Sequence, residues 1–229
     1  MAELEEAVCE TANALLEGKS HIKLLEAGCG SASHVRFKAD VYAVGIDISP
    51  QQLEQNSAVR EKILGDLQDY PLPKEEFDVV VCWMVLEHLP RPKEAMLNMF
   101  GSVKPSGVVI FGFPNLLSLK GIVTKFTPFW FHQLFYRFMK YKFRPFPTYL
   151  RVAILPKKVR RFAEDHGFSI AFCGIVEGGV AQKVRSRFWL MDVAFRVLNG
   201  AVQVITFGKA QSLLLDKCAM VLRKREECF

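Results

Sequence analysis

The sequence predicts an α/β fold: a doubly wound sheet of seven strands with helices on both faces. Three observations predict it. Short apolar runs alternate with helical segments, the pattern of strand–helix–strand crossovers. The run Phe77-Asp78-Val79-Val80-Val81-Cys82-Trp83 is rich in β-branched residues, as a strand buried on both faces requires. The apolar run Leu24-Leu25-Glu26 enters a turn, Ala27-Gly28-Cys29-Gly30, that carries two glycines.

In chain order, residues 3–17 read as a helix and 22–26 as the first strand. A helix is expected from about Ser33 after the glycine turn, then a strand over 41–46. Pro50 suits the first turn of the next helix, with Ser49 as its cap. Residues 62–65 end a third strand, 77–83 form the fourth, and a helix over 91–103 closes in the turn Lys104-Pro105-Ser106-Gly107. The fifth strand covers 108–113. Regular units resume with a helix at 156–166 and a strand at 169–176. A long apolar helical stretch follows at 184–207, and a last strand at 216–223. Residues 115–154 and 177–212 read as insertions on one domain, the first a cap or lid.

Half of the 229 residues are hydrophobic and 24% are charged, which suffices for a full core. The six cysteines are scattered, with no Cys-x-x-Cys and no metal-ligand spacing, so free thiols and no metal site are expected. The acidic start, without an apolar signal core, points to a cytoplasmic protein. Net charge is +6 but uneven: residues 95–163 hold 12 Lys and Arg and no acid, which leaves −6 on the remainder. Such asymmetry suggests an anionic partner for one region. The apolar stretch 188–207 is interrupted by Asp192, Arg196 and Gly200, so no membrane span is expected.

The glycine turn gains meaning from three acids. Asp47 ends the second strand, 19 residues after Gly28, where doubly wound sheets place an acid on ribose hydroxyls. Asp66 follows the third strand on the neighbouring position, where it could accept from an adenine amino group. Glu26 precedes the turn, where it would repel a dinucleotide phosphate but attract a cation. Each could instead serve locally: Glu26 pairing with His21 or Lys23, Asp47 capping a turn, Asp66 closing a loop.

The run Leu24 to Ala32 resembles motif I of the class I S-adenosylmethionine-dependent methyltransferases. Gly45-Ile46-Asp47-Ile48-Ser49 is similar to their second motif, and Gly65-Asp66-Leu67 opens a run similar to the third. Residues 77–111 resemble the fourth through sixth, with the Glu-His-Leu signature of small methyltransferases at Glu87-His88-Leu89. The resemblance covers about 22–114 and implies a last strand that runs antiparallel. It implies that Gly28, Cys29 and Gly30 pass under the methionine part of S-adenosylmethionine, while Glu26 helps position its amino group. Asp47 would hold the ribose, Ile48 would pack on adenine, Asp66 and the Leu67 backbone would meet the adenine amino group, and Trp83 and Met84 would line the cofactor. Ala32 departs from a third glycine that many relatives have. A nicotinamide-dependent oxidoreductase fits less well, because Gly-x-Gly-x-x-Gly would need glycine at Ser33 and there is no Tyr-x-x-x-Lys pair.

A general base helps only where the nucleophile starts protonated. His88 is the first candidate and His132 the second; either could equally be structural. The segment after the fourth strand has neither Asn/Asp-Pro-Pro-Tyr nor Pro-Cys, which argues against base N-methylation and cytosine carbon methylation. Between Phe126 and Tyr149 stand 11 aromatics in 24 residues. This basic aromatic stretch, 120–151, could close on itself as a cap, meet a membrane surface, bind nucleic acid or receive a protein partner. Interspersed bulky groups make nucleic acid a poorer fit. Asp192, Arg196, Asn199 and Gln203 make one narrow polar stripe on an otherwise apolar helix, which implies cover by protein, such as a homodimer partner, or by lipid. The expected reaction is methyl transfer to a small hydrophobic molecule, oxygen being the preferred acceptor and nitrogen or carbon next. The other alternative is a non-catalytic, membrane-associated module of the same fold.

Overall fold

Seven strands pair in the order β3-β2-β1-β4-β5-β7-β6 in the computed structural model of the chain. It describes residues 2–32, 35–138, 147–207 and 213–226, without some of the side chains in their helices. The strands are β1 (His21–Ala27), β2 (Asp40–Asp47), β3 (Glu61–Leu64), β4 (Phe77–Trp83), β5 (Val103–Pro114), β6 (Phe168–Val176) and β7 (Lys217–Lys224). The first five are parallel, and β7 runs antiparallel between β5 and β6. The seven strands and the reversed last one agree with expectation.

The period-two alternation of the strands divides the core into two layers. Val80 and Cys82 of β4, Phe111 and Phe113 of β5 and Met220 of β7 face one layer. Val79, Val81, Val108, Ile110 and Val221 face the other. The first layer is covered by α3 (Pro92–Ser102) and α6 (Pro156–Asp165), through Met96, Met99 and Val159. The second is covered by α1 (Ala2–Leu15), with Leu4, Val8 and Ala12, and by Leu53 of α2 (Pro50–Gln55). Ser49 caps α2 by accepting the Gln52 amide, with Pro50 in the first turn, as the sequence requires.

Three local expectations are corrected. Residues 35–39 are not helical, and Ser33 and His34 lie outside the described residues. The chain must return from the carboxyl end of β1 to Asp40, which pairs with His21 at the amino end. A helix over residues 31–39 would rise only about 14 Å, whereas β1 is roughly 23 Å long. An extended return is needed, and α1 supplies its hydrogen bonds: Asn13 accepts the Lys38 amide at 2.7 Å and donates to the Arg36 carbonyl at 3.1 Å. The turn at Lys104–Gly107 is absorbed into β5 as a register shift, with Ser106 at φ +59°. The apolar stretch 184–207 is two helices, α7 (Gly179–Arg187) and α8 (Trp189–Ile205), broken at the non-helical Phe188. Arg185 bridges the break to Asp192 at 2.6 Å.

Residues of the 115–154 segment form α4 (Leu119–Phe126) and α5 (Phe129–Phe138); residues 139–146 lie outside the described residues. The five cysteines within the described residues are free thiols, and Cys228 lies beyond them.

Replacing Asn13 by Ala removes both hydrogen bonds from the return segment and should cost about 1 kcal/mol. Hydrogen exchange at the Lys38 amide should accelerate more than at β1. Unchanged exchange at Lys38 would show that α1 does not hold this segment.

Candidate active site

The site grows from the carboxyl edge of β1, β2 and β3, three adjacent strands. At the end of β1 the Gly28 and Cys29 amides both donate to the Ile46 carbonyl, at 2.8 and 3.1 Å. This folds the turn back over β2. Gly28 has φ +74°, and a Cβ there would come within 2.5 Å of the Val85 side chain. Conformation and space together exclude a side chain. Gly30, at φ +49°, donates its amide to Asp47 Oδ2 at 2.9 Å. Asp47 Oδ1 accepts the Ser49 amide at 2.8 Å. One carboxylate thus ties the glycine turn to the start of α2.

Asn56, which follows α2, is buried and was missed by the sequence reading. Its amide nitrogen donates to the Cys29 and Gly30 carbonyls at 3.2 and 3.1 Å, while its oxygen accepts the Ala58 amide at 2.8 Å. An Asn after a short helix resembles any loop residue, so its role was visible only through the fold.

Glu26, Asp47 and Asp66 stand at or just past the ends of these three strands, as expected. Glu26 is buried, and Asp47 and Asp66 are half-buried. Burial first, then the negative charges of Asp47 and Glu26, push the Cys29 thiol up to about 11. Asp66 is held by Gln68, whose backbone and side-chain nitrogens both approach Oδ1 at 2.9 Å. Gln68 in turn accepts the Arg91 amide at 2.7 Å and so links Asp66 to the start of α3.

Apolar surface frames the acids. Ile48 is 71% exposed beside Asp47, an open apolar face at the rim. Leu67 is buried, and its carbonyl accepts from Asn98 at 2.9 Å. Trp83 and Met84 are half-buried beyond β4. Met84 has φ +56°, a left-handed conformation that costs energy for a residue with a side chain, and its amide donates to the Gly112 carbonyl at 2.7 Å. That turn places Val85 against Gly28.

Leu86–His88 form a 3-10 turn after β4. His88 Nδ1 lies 2.7 Å from the Pro147 carbonyl, which can only accept, so Nδ1 carries the proton and Nε2 is the acceptor nitrogen. Burial holds the imidazole below its usual pKa. Nε2 is 3.9 Å from Glu87 Oε1. Glu87 itself is 3% exposed, and its Oε2 has no hydrogen-bond partner among the described residues. Burial pushes its carboxyl up to about 7, against the pull of Lys217 and Lys120. The sequence reading used Glu87 only as part of a signature. A buried acid with one oxygen left without a hydrogen bond, the sign of a functional group, appears only in three dimensions. The Glu87 carbonyl accepts the Tyr149 and Leu150 amides at 2.9 and 3.3 Å, which fixes the segment after α5 over this turn. His132 is on α5, and its side chain lies outside the described residues.

The donor set fits an adenosyl sulfonium. A cradle that a single Cβ would fill, acids at three successive strand ends and an exposed isoleucine at the rim match the cation, hydroxyls and flat base of such a ligand. Phosphates would meet the negative field that raises Cys29. Fold and site together define a class I methyltransferase architecture.

Residues 25–111 match the sequence model of a methyltransferase domain family. The ubiquinone biosynthesis O-methyltransferase of Schizosaccharomyces pombe is 34% identical over 102 residues, which cover 38% of this chain and 36% of that protein. The chain spans less than half the length of the curated relatives it matches. A methyltransferase structure from Archaeoglobus fulgidus aligns over 98% of this chain and 95% of its own, with a TM-score of 0.56 at 17% identity. The Haemonchus contortus phosphoethanolamine N-methyltransferase 2, solved with S-adenosylmethionine, aligns over 98% of this chain and 53% of its own, with a TM-score of 0.60 at 14% identity. These two likenesses concern the fold.

Glu87 makes stability depend on pH. In the folded protein its pKa is pushed up to about 7, above the 4.5 of a free glutamate, so stability is full below 4.5 and falls as pH rises through 7. Glu87→Gln, which mimics the neutral acid, should match the parent near pH 4.5 and exceed it by up to about 3 kcal/mol at pH 8. Thermal denaturation across pH checks this; a constant difference would place the carboxyl outside the titrating range.

Proposed function

We propose that the protein transfers a methyl group from S-adenosylmethionine to a hydroxyl of a small hydrophobic molecule. The observation that carries the reading is the placement of Glu26, Asp47 and Asp66 at the carboxyl ends of three adjacent strands beside the glycine turn, with the Glu87–His88 turn following β4. The cofactor supplies a methyl carbon bonded to cationic sulfur. Glu26 positions its amino group above the glycine turn, Asp47 holds its ribose, Asp66 and Leu67 its base, with Ile48 stacked on the ring.

His88 acts on the acceptor. The hydroxyl oxygen forms the new bond to carbon as the carbon–sulfur bond breaks, and the hydroxyl proton passes to Nε2. The Pro147 carbonyl keeps the ring in the required tautomer. Once ionised, Glu87 stabilises the imidazolium across 3.9 Å. Residues 115–154 serve as lid and acceptor pocket: Tyr149 and Leu150 are bonded to the Glu87 carbonyl. Positioning in a dry pocket contributes the larger share, roughly 7–11 kcal/mol in favourable cases. The O-methyltransferase relatives support an oxygen acceptor, and the absence of a base-methylation motif after β4 supports a small one.

Methyl-labelled cofactor incubated with a cell extract and the protein should yield a labelled, organic-soluble product that mass spectrometry identifies. Label only in macromolecules would refute a small acceptor. Calorimetry with S-adenosylhomocysteine should show Asp47→Ala weakening binding by about tenfold or more, since the ribose contact and two amide anchors are lost together. An unchanged dissociation constant removes Asp47 from the site.

A further inference from the structure

We infer that α4, α5 and α8 form a surface that docks on an anionic lipid bilayer. These helices follow β5 and β6 at the same carboxyl edge as the cofactor site. The Leu119 amide of α4 donates to Leu213, whose own amide donates to Asn199 of α8 at 2.9 Å, so α4 and α8 share an anchor.

α8 is turned inside out for a helix in water. Asp192 and Asn199 of its polar stripe face the protein, Asp192 paired with Arg185 and Asn199 holding Leu213, while Arg196 is exposed. Its exposed stripe is apolar, with Trp189, Val193, Val197 and Val204 spaced 4, 4 and 7 apart. Trp189 is 71% exposed. α5 repeats the arrangement with Trp130, Leu134 and Phe138 at intervals of four, and α4 ends on the exposed Phe126. Exposed apolar sets on three helices after the same sheet edge mark an interaction surface.

Charge selects the occupant. Exposed Lys125, Arg137, Arg187 and Arg196 rim the apolar residues, and residues 95–163 contain no acid. A second copy would bring like charges together, whereas anionic headgroups neutralise them while the aromatics enter the interface. Among the described residues no helix is long and apolar enough to cross a membrane, so the helices lie on the bilayer. The inference does not depend on the methyl-transfer reading, since docking needs no cofactor.

The test is co-sedimentation of the whole chain with phosphatidylglycerol–phosphatidylcholine vesicles, against pure phosphatidylcholine. Binding is expected with the anionic vesicles only, with a blue shift of tryptophan emission. Trp130→Ser and Trp189→Ser should each weaken it about tenfold. Lys125→Gln and Arg137→Gln should each weaken it about fivefold and reduce its salt dependence. Circular dichroism and S-adenosylhomocysteine binding should be unchanged in all four. No binding to anionic vesicles overturns the inference, as does binding that none of the four alters. A dimer in light scattering that the tryptophan variants dissolve also overturns it and assigns the surface to a second copy.

Discussion

The carboxylate of Asp47 is the constraint on which the cofactor edge depends. One oxygen receives the Gly30 amide and the other the Ser49 amide. Two amides on one carboxylate are worth more than two neutral hydrogen bonds, because the acceptor is charged. The end of β2, the glycine turn and the first turn of α2 therefore move as one body. Asn56 completes it from the far end of α2 by holding the carbonyls of Cys29 and Gly30. A ribose bound at Asp47 would meet a group already oriented by the protein, which limits the entropy lost on binding.

Much of this was legible in the sequence. The strands could be read because β-branched runs and period-two alternation are local signals, and the acids could be placed because they end those strands. What failed was set by length or by tertiary contact. Nothing local marks residues 35–39 as non-helical; the return to the amino end of β2 decides it, and Asn13 supports it from another element. Likewise Lys104–Gly107 reads as a turn, and β4 turns it into a bulge. Glu87 looked like a motif letter because burial of a carboxyl oxygen without a hydrogen bond is a property of the packed molecule.

Helix α8 shows how periodicity can be right and its meaning open. The narrow polar stripe was visible from spacing alone. Which side faced water was not, since an amphipathic pattern specifies two faces without saying which is inward. The ion pair from Arg185 and the bond to Leu213 turn Asp192 and Asn199 inward, while Arg196 stays exposed at the edge of the stripe. The usual argument from amphipathicity then reverses: the apolar side needs cover from something other than the sheet.

The two proposed features share one edge of the sheet, and this has a physical consequence. An acceptor hydrophobic enough to favour a lidded pocket is scarce in water and concentrated in lipid. If it reached the site from solution, each encounter would first require its desorption from the bilayer, at about 0.8 kcal/mol per buried methylene. A site held at the bilayer surface shortens that path, because the acceptor can pass from lipid to pocket beneath α4 and α5 with its apolar part always covered. The soluble cofactor loses nothing in this arrangement, since Ile48, Asp47 and Asp66 are at the β3 end of the sheet, away from the helices that follow β5 and β6. Two substrates of opposite polarity would thus enter one reaction site from different sides.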